Sequence, residues 1–247
     1  MKIFTRLLAV FATTAVQAQI EIVDTAPGSN QISLSGTYMQ DFDSLTGAGT
    51  LRPWTDNTTL PGWHSTGENI ILGFGVAEGI YSLGYAGGQG DRALGAIGSP
   101  PTLGHLFAVS FQNLTASTLT SVSVTFDGEQ WNRQAANPQR ASSLLFAYQV
   151  FDAGTGVIYR YDNTGWTFVP SLDFTSPNAT LNAGSMLDGN APQNSVRGIN
   201  ATINGLALAP GQELWLSWGS YAVPLGTPIH GLGIDNRKRS AGCLVGE

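Results

Sequence analysis

LTSVSVTF, residues 119–126, decides the fold class of this chain, because its polar and apolar residues alternate from residue 121 onward. Successive side chains of an extended strand point to opposite faces, so this period of two predicts a strand with one buried and one wet face. The apolar face carries Val122, Val124 and Phe126. The polar face carries Ser121, Ser123 and Thr125.

Short apolar runs of the same kind lie on both sides of this stretch, and turn-forming residues separate them. Pro210-Gly211 is one such separator, since Pro fixes φ and Gly supplies a positive φ for a tight hairpin. The further strand predictions are IILGFGV (70–76), HLFAVSFQNL (105–114), SLLFAYQVF (143–151), GVIYRYD (156–162), GWTFV (165–169), INATINGLAL (199–208), ELWLSWG (213–219) and HGLGI (230–234).

No segment beyond the N-terminus has apolar residues spaced for an amphipathic helix, and none repeats with a constant period. These observations exclude α/β architectures and disfavour propellers and solenoids. We predict an all-β chain that folds as an antiparallel two-sheet sandwich of the jelly-roll kind, with a barrel as the alternative. Two segments rich in Pro, Gly, Asn and Ser, 98–104 and 176–198, are predicted as long loops.

The N-terminus has the three parts of a secretory signal peptide. Lys2 and Arg6 precede an apolar run, Leu7 to Val16, and small residues end at Ala18. The run is too short to cross a bilayer, and no later stretch is long and apolar enough to do so. We therefore predict a secreted protein. Its expected organisation is a signal peptide (1–18), an N-terminal segment (19–37), a β-sandwich domain (38–236) and an atypical, disordered tail (237–247).

The composition narrows the range of partners. The formal net charge of −6 becomes −8 when Lys2 and Arg6 leave with the signal peptide, so a nucleic-acid backbone is excluded as a partner. Cys243 is the single cysteine, which rules out an intramolecular disulfide. Stability must then come from the apolar core, with a metal as a second source.

The motifs of common hydrolases and nucleotide-binding proteins are absent, including Gly-x-Ser-x-Gly, His-Glu-x-x-His and the phosphate-binding loop. His64, His105 and His230 lie far apart in the sequence beside apolar or Gly residues. We assign none of them a catalytic role.

Acidic residues near both ends of the predicted sandwich suggest a metal site. Alternation along YMQDFDSL places Asp41 and Asp43 on one face with Phe42 on the other, and Asp235 ends the last predicted strand. Converging carboxylates repel one another unless a cation compensates them, and hard oxygen ligands select Ca²⁺. We predict a structural Ca²⁺ site at Asp41, Asp43 and Asp235, the alternative being strand ends whose acids face water.

A second acidic pair, Asp127 and Glu129, lies in FDGEQW. Residues two apart on a strand share a face, although the intervening Gly128 predicts a bulge that redirects Glu129. Glycoside hydrolysis needs two facing carboxylates, so convergence of Asp127, Glu129, Arg133 and His230 would indicate a hydrolase.

Six tryptophans supply large apolar surfaces that pack in cores or stack on sugar rings. In LWLSW, Leu214 and Leu216 share a face with Trp218, which makes Trp215 the more exposed of the two. The candidate ligand-binding residues are Trp215, Trp131 and Glu129.

A series of segments in a fixed order covers roughly residues 38–236: DFDSL, WTDNTTLPGW, YSLG, GDRALGAIGS, FAVSFQNLTASTLTSVSVTFDGEQW, LDFTSP, LDGN, INGLALAPGQELWLSW and HGLGIDN. The series resembles a β-sandwich domain of exported bacterial proteins, many of which carry a PEP-CTERM sorting tail. More distantly, Asp-Phe-Asp, Pro-Gly-Trp and the closing Ile-Asp are similar to MAM-like and carbohydrate-binding jelly rolls. In those jelly rolls, acids of the first and last strands bind calcium, which the resemblance carries over to Asp41, Asp43 and Asp235.

The resemblance implies an extracellular β-sandwich and transfers no catalytic residue. The end of the chain departs from it, because Ile234-Asp235-Asn236 runs into RKRSAGCLVGE, which has no Pro-Glu-Pro motif or apolar anchor. We interpret this end as truncated or altered, or alternatively as a natural basic tail, and an anchored form is not supported.

Three functions follow from the sequence. The first is a non-catalytic module that binds a glycan or a cell-surface or matrix polymer, with an exposed row of aromatic residues among polar neighbours as its distinguishing sign. The second is a structural or adhesion component of the envelope or matrix, with smooth Ser/Thr/Asn faces. The third is a polysaccharide hydrolase or lyase, with facing carboxylates in a cleft.

Overall fold

The computed structural model of the chain describes residues 19–24, 27–45, 47, 50–73, 77–84, 90–98, 104–133, 141–159, 162–179, 185–220, 230–236 and 243–246. The predicted signal peptide lies outside the described residues, as does most of the predicted loop 98–104. In the described ranges no helix has the length and hydropathy that a membrane span requires.

The described residues form strands and two short 3-10 turns, Pro170–Leu172 and Pro192–Asn194. The strands are β1 (Ile20–Val23), β2 (Gln31–Ser33), β3 (Thr37–Tyr38), β4 (Leu51–Pro53), β5 (Trp63–Ser65), β6 (Asn69–Leu72), β7 (Gly79–Leu83), β8 (Ala93–Ile97), β9 (Leu106–Asn113), β10 (Leu119–Arg133), β11 (Ser143–Phe151), β12 (Thr167–Phe168), β13 (Phe174–Thr175), β14 (Ser185–Met186), β15 (Ser195–Leu208), β16 (Glu213–Ser220), β17 (Gly231–Asp235) and β18 (Cys243–Gly246).

The strands form two sheets packed against each other, which confirms the predicted β-sandwich. Sheet A has the order β12-β11-β16-β9-β1-β2, with β13 also on β11 and β5 on β9. Sheet B has the order β3-β18-β10-β17-β8-β7-β6-β4, with β14 and β15 also on β10. Most of the described pairings are antiparallel, as predicted, but the sheets are mixed, because β1 pairs in parallel with β2 and β9, and β6 pairs in parallel with β7.

The main core lies between the sheets, and β10 follows the predicted alternation. Val122, Val124 and Phe126 are buried in that core. The cross-strand partners of these three residues on β15 are Ile203, Ala201 and Ile199, which also face the core. The apolar half of the LTSVSVTF pattern therefore holds sheet B against sheet A.

A second, smaller apolar cluster lies on the outer face of sheet B. It contains Tyr81, Leu83, Ala93, Ile97 and Trp131, with Ile71 at its edge. A Cβ on Gly95 would lie 2.3 Å from a methyl carbon of Leu83. Glycine at that position thus lets the small cluster pack directly on the sheet, and this part of sheet B is buried on both faces.

The sheets extend beyond the predicted domain limits. In the segment predicted to precede the domain, β1 pairs with β9 and contributes Ile20 and Ile22 to the core. Within the tail predicted as disordered, β18 pairs with β10 and β3. The predicted loop 176–198 contains β14, a 3-10 turn and the start of β15. In the predicted strand 156–162, the residues that the structure describes (156–159 and 162) form an isolated bridge between Tyr159 and Asp162 and no strand.

Candidate functional site

Three carboxylates meet on the outer face of sheet B. One oxygen each from Asp91, Glu129 and Asp235 lies within 4.8 Å of the other two. Glu129 is on β10, Asp235 ends the adjacent β17, and Asp91 precedes the next strand, β8. The order β10-β17-β8 therefore joins acids that are far apart in the sequence.

Neighbouring groups hold the carboxylate of Glu129 in place. The Nη1 atom of Arg197 donates to Oε1 of Glu129 and to Oδ2 of Asp127, at 3.0 Å in both cases. The indole Nε1 of Trp131 donates to Oε2 of Glu129 at 3.0 Å. Burial raises the pKa of Glu129 to about 7, even though the positive charge of Arg197 opposes this shift.

Asp235 is buried without comparable support. Its side chain is 1 % exposed, and neither carboxylate oxygen has a hydrogen-bond partner that meets normal geometry. Burial, followed by the charge of Glu129, raises the pKa of Asp235 to about 8, and only the backbone N–H of Asn236 opposes this. A buried carboxylate left in this way is costly unless a proton or a cation compensates it.

The other two predicted metal ligands occupy different positions. The Oδ1 atom of Asp43 accepts the backbone N–H of Arg92 at 3.1 Å, and the charge of Asp43 contributes to the raised pKa of Asp235. The Oδ1 atom of Asp41 accepts the backbone N–H of Asp43 at 3.3 Å. The acidic cluster found among the described residues thus includes Asp235 but neither Asp41 nor Asp43.

The strand alternation predicted for YMQDFDSL was wrong. Residues 39–43 do not form a strand, and Phe42 adopts a positive φ of 54°. Its ring is nevertheless buried, as expected, and packs edge-on against Trp63 with the ring centroids 4.9 Å apart. A local turn, not a pleat, therefore sets the directions of Asp41 and Asp43.

Sequence reasoning missed Asp91. The signal was present in GDRALGAIGS, where an acid directly precedes a short apolar run that became β8. Finding it required the knowledge that β8 pairs with β17, a pairing that local sequence does not specify.

The four residues proposed for hydrolysis form two separate pairs. Asp127 and Glu129 both contact Arg197, so they lie on a shared face. The register next to β15 shifts between Phe126 and Gly128, but this irregularity does not turn Glu129 away from Asp127 as expected. Arg133 lies close enough to His230 to lower its pKa, while Nδ1 of His230 contacts Nε2 of Gln130 at 3.0 Å. The described contacts include no hydrogen bond or ion pair that joins the two pairs.

A row of aromatic side chains crosses the outer face of sheet A. Trp215 packs against Phe151 with the centroids 5.7 Å apart, and Phe151 packs against Trp166 at 6.0 Å. Phe168 is the cross-strand partner of Ala147, which shares the face of Phe151. Exposure increases along the row from Trp215, at 3 %, to Phe168, at 38 %. We refer to Trp215, Phe151, Trp166 and Phe168 as the aromatic row.

The expectation that Trp215 is exposed was wrong. Trp215 and Trp218 lie on opposite faces as predicted, yet Trp215 is 3 % and Trp218 is 4 % exposed. The backbone at Gly156 covers the Trp215 indole, since a Cβ there would lie 2.3 Å from the ring. Trp131 is also fully buried, with Gly189 packed on its ring. Neither indole offers a free face to a ligand.

A serine, a histidine and an aspartate form a series at the inner end of the aromatic row. The Nε2 atom of His64 lies 3.2 Å from Oγ of Ser110, and its Nδ1 lies 3.7 Å from Oδ2 of Asp56. The backbone N–H of Ser110 donates to the carbonyl of Gly62, and Ser110 is 1 % exposed. The series therefore lacks an accessible nucleophile, and its visible effect is to fix His64 against Trp215, with the ring centroids 4.1 Å apart.

Neither the protein-family models nor the curated proteins contain a match to this chain.

Proposed function

We propose that this protein is an exported, non-catalytic β-sandwich module that binds a glycan or a surface polymer through the aromatic row. The observation that carries the proposal is the open end of that row, the half-buried Trp166 and the exposed Phe168, beside polar neighbours. Aromatic rings present flat apolar faces to the C–H faces of sugar rings, and the surrounding polar groups bond to hydroxyls.

Polar side chains flank the exposed end of the row. Asp162, Asn163, Thr164 and Thr167 are exposed in the same hairpin, and Gln149 lies beside Gly165. Most of these groups are uncharged, so they suit hydroxyl recognition better than they suit an ionic ligand. The Trp215 end is rigid, because Nε1 of Trp215 donates to Oε2 of Glu213 at 2.9 Å. The aromatic row thus has a fixed, buried end at Trp215 and an open end bordered by polar side chains. The open end is a suitable contact surface for a polymer chain.

The burial of the carboxylates argues against the hydrolase alternative. One oxygen of Glu129 lies within 4.8 Å of one oxygen of Asp235, a spacing comparable with the roughly 5 Å between the two carboxyl groups of a retaining glycosidase. Both residues are at most 1 % exposed, however, so a sugar ring has no access to them.

The proposal is tested by retention of the purified protein on a panel of insoluble polysaccharides. We expect Trp166→Ala and Phe168→Ala to weaken binding at least about tenfold, since exposed aromatic anchors carry a large share of binding energy. Leu51→Ala is the matched control, because Leu51 is similarly exposed on a short edge strand of sheet B. Failure of the wild-type protein to bind any polymer in the panel, or unchanged binding by both variants, would refute the proposal.

A second candidate function, a structural or adhesive role, is supported by the outer face of β10 and β15. Cross-strand polar pairs line this face: Ser121 with Asn204, Ser123 with Thr202, and Thr125 with Asn200. The hydroxyls of Ser123 and Thr202 are 2.8 Å apart, and the three β15 residues are exposed. A flat ladder of this kind suits many weak contacts made at once.

Beads coated with many copies of the protein test this second role by their adhesion to matrix polymer. We expect Thr202→Lys to reduce adhesion and Thr175→Lys to leave it unchanged. The control is matched, because Thr175 forms the same 2.8 Å hydroxyl pair with Ser143 on sheet A. Equal adhesion by the two variants would argue against the ladder.

A further inference from the structure

The acidic cluster on sheet B is built from separate parts of the chain that the fold brings to one point. Asp91 lies two residues before β8, Glu129 lies in the second half of β10, and Asp235 lies at the end of β17. All three strands belong to the part of sheet B that is buried on both faces, so their backbones are fixed by the sheet and by the small apolar cluster. The positions of the carboxylates therefore follow from the fold itself.

Asp235 supplies an independent sign of a missing partner. It is 1 % exposed, and both of its oxygens lack a hydrogen-bond partner. Folded proteins pair nearly all of their buried polar side-chain atoms, so a carboxylate with two unpaired oxygens needs an explanation. Its position within 4.8 Å of two further carboxylate oxygens points to a positively charged ligand.

The spacing of the oxygens is compatible with a single Ca²⁺ ion. Calcium binds oxygen at about 2.3–2.6 Å, so two oxygens on opposite sides of one Ca²⁺ ion are at most roughly 5 Å apart. The three oxygens of the cluster, within 4.8 Å of one another, satisfy this limit. The donors are carboxylates only, which favours a hard cation over zinc or copper.

We propose that Asp91, Glu129 and Asp235 bind one Ca²⁺ ion, which fastens β10, β17 and the residues directly before β8 to one another. Compared with the set expected from the sequence, Glu129 and Asp91 replace Asp41 and Asp43, and Asp235 is kept. The site does not depend on the aromatic row, which lies on the other sheet.

Two contacts already orient Glu129 for this role. Arg197 donates to Oε1 and Trp131 donates to Oε2, each at 3.0 Å. A carboxylate oxygen has two lone pairs, so each oxygen that accepts one of these bonds retains a site for a cation. Arg197 and Trp131 are thus positioning residues, comparable to the outer groups that orient metal ligands in other proteins.

Because the indole of Trp131 contacts Glu129, its fluorescence can report an ion bound at the cluster. A terbium ion binds the same oxygen ligands as calcium and emits light when a nearby indole transfers excitation to it. We expect saturable emission from the wild-type protein on titration with Tb³⁺, reversed by Ca²⁺ and by chelator. Thermal unfolding supplies a second readout, because a cation that binds only the folded state raises the unfolding midpoint.

Substitutions at the cluster define the site. We expect Asp235→Asn and Asp91→Asn each to weaken Tb³⁺ binding at least about tenfold and to remove the shift in midpoint caused by Ca²⁺. In the presence of chelator, Asp235→Asn is expected to unfold at a higher temperature than the wild type, because it removes a buried carboxyl group that is costly without a cation. Glu68→Gln, at an exposed acid, is the control and keeps both responses.

The Trp131→Phe variant tests the location of the ion separately. We expect it to lose most of the terbium emission and to show a smaller Ca²⁺ shift in midpoint than the wild type, because Oε2 of Glu129 loses the indole that orients it. The proposal is overturned if the wild-type protein shows neither emission nor a shift, if Asp235→Asn responds as the wild type does, or if Trp131→Phe retains full emission.

Discussion

His230 is a buried polar residue whose ring is held by a hydrogen bond at Nδ1. Its ring is fully buried, and Nδ1 accepts from the amide nitrogen of Gln130 at 3.0 Å. Asn178 sets the orientation of that amide. Its backbone N–H donates to Oε1 of Gln130, and its backbone carbonyl accepts from Nε2 of Gln130. Because Nδ1 of His230 accepts, the proton of the neutral imidazole lies on Nε2 of His230.

This arrangement predicts a dependence of stability on pH. Burial, and then the charge of Arg133, lowers the pKa of His230 to about 4 from 6.5. Below pH 6.5 the unfolded chain binds a proton that the folded chain refuses, so the free energy of unfolding falls as the pH drops from 6.5 to 4. The full effect is roughly 3 kcal/mol.

The measurement is denaturant unfolding of the wild type and of His230→Gln between pH 7 and 4. We expect the wild type to lose up to about 3 kcal/mol more than the variant over this range. The raised pKa values of Glu129 and Asp235 act in the opposite direction, but both proteins share them, so they cancel in the difference. Parallel pH profiles would show that His230 does not titrate as described.

At the scale of elements, β10 is bent where Gly128 meets the core. The register next to β15 shifts between Phe126 and Gly128, and the buried ring of Phe174 lies against the glycine. A Cβ on Gly128 would lie 2.3 Å from Cδ2 of Phe174, closer than any ordinary contact. Glycine is therefore needed here for close packing.

Gly128→Ala is expected to lower the free energy of unfolding by about 1–3 kcal/mol, the usual cost of overpacking a core. Adding Phe174→Leu should recover part of that loss, since the two substitutions act on one contact and are not additive. Gly90→Ala, at a glycine with no atom nearby, is the control in thermal unfolding. Strict additivity of the double variant would contradict the contact.

The same elements show how much the sequence could predict. Alternation in β10 correctly assigned its buried and wet faces, because period two is a local property of the chain. The parallel pairing of β1 with β9 and the approach of Asp91 to Asp235 depend on which strands become neighbours, and local patterns do not specify that choice. The exposure of Trp215 was wrongly predicted for a similar reason, since local sequence does not specify that the backbone at Gly156 packs on its ring.

β1 lies outside the predicted domain (38–236), yet the stability of the whole molecule depends on it. β1 lies between β2 and β9 in sheet A, and it buries Ile20 and Ile22 in the main core. A chain that starts at residue 38 would lose both strands and leave that edge of β9 unpaired at its end.

We expect the fragment 38–247 to aggregate or to unfold at a clearly lower temperature than the fragment 19–247, since burial of each Ile side chain contributes about 1.5–3 kcal/mol. Circular dichroism with thermal unfolding of the two fragments measures this. The double variant Ile20→Ala/Ile22→Ala, made in the longer fragment, separates loss of core from loss of pairing. Equal midpoints for the two fragments would mean that β1 is dispensable.

Because β1 pairs with β9, one of its native partners is synthesised much later than β1 itself. At 5–20 residues per second, roughly 90 residues and 5–18 s separate the emergence of β1 from that of its partner β9. The closing strand β17 emerges later still, after residue 230. Throughout that interval the apolar side chains of β1 are without their β9 neighbours, so the native pairing of β1 with β9 cannot form until β9 has been synthesised.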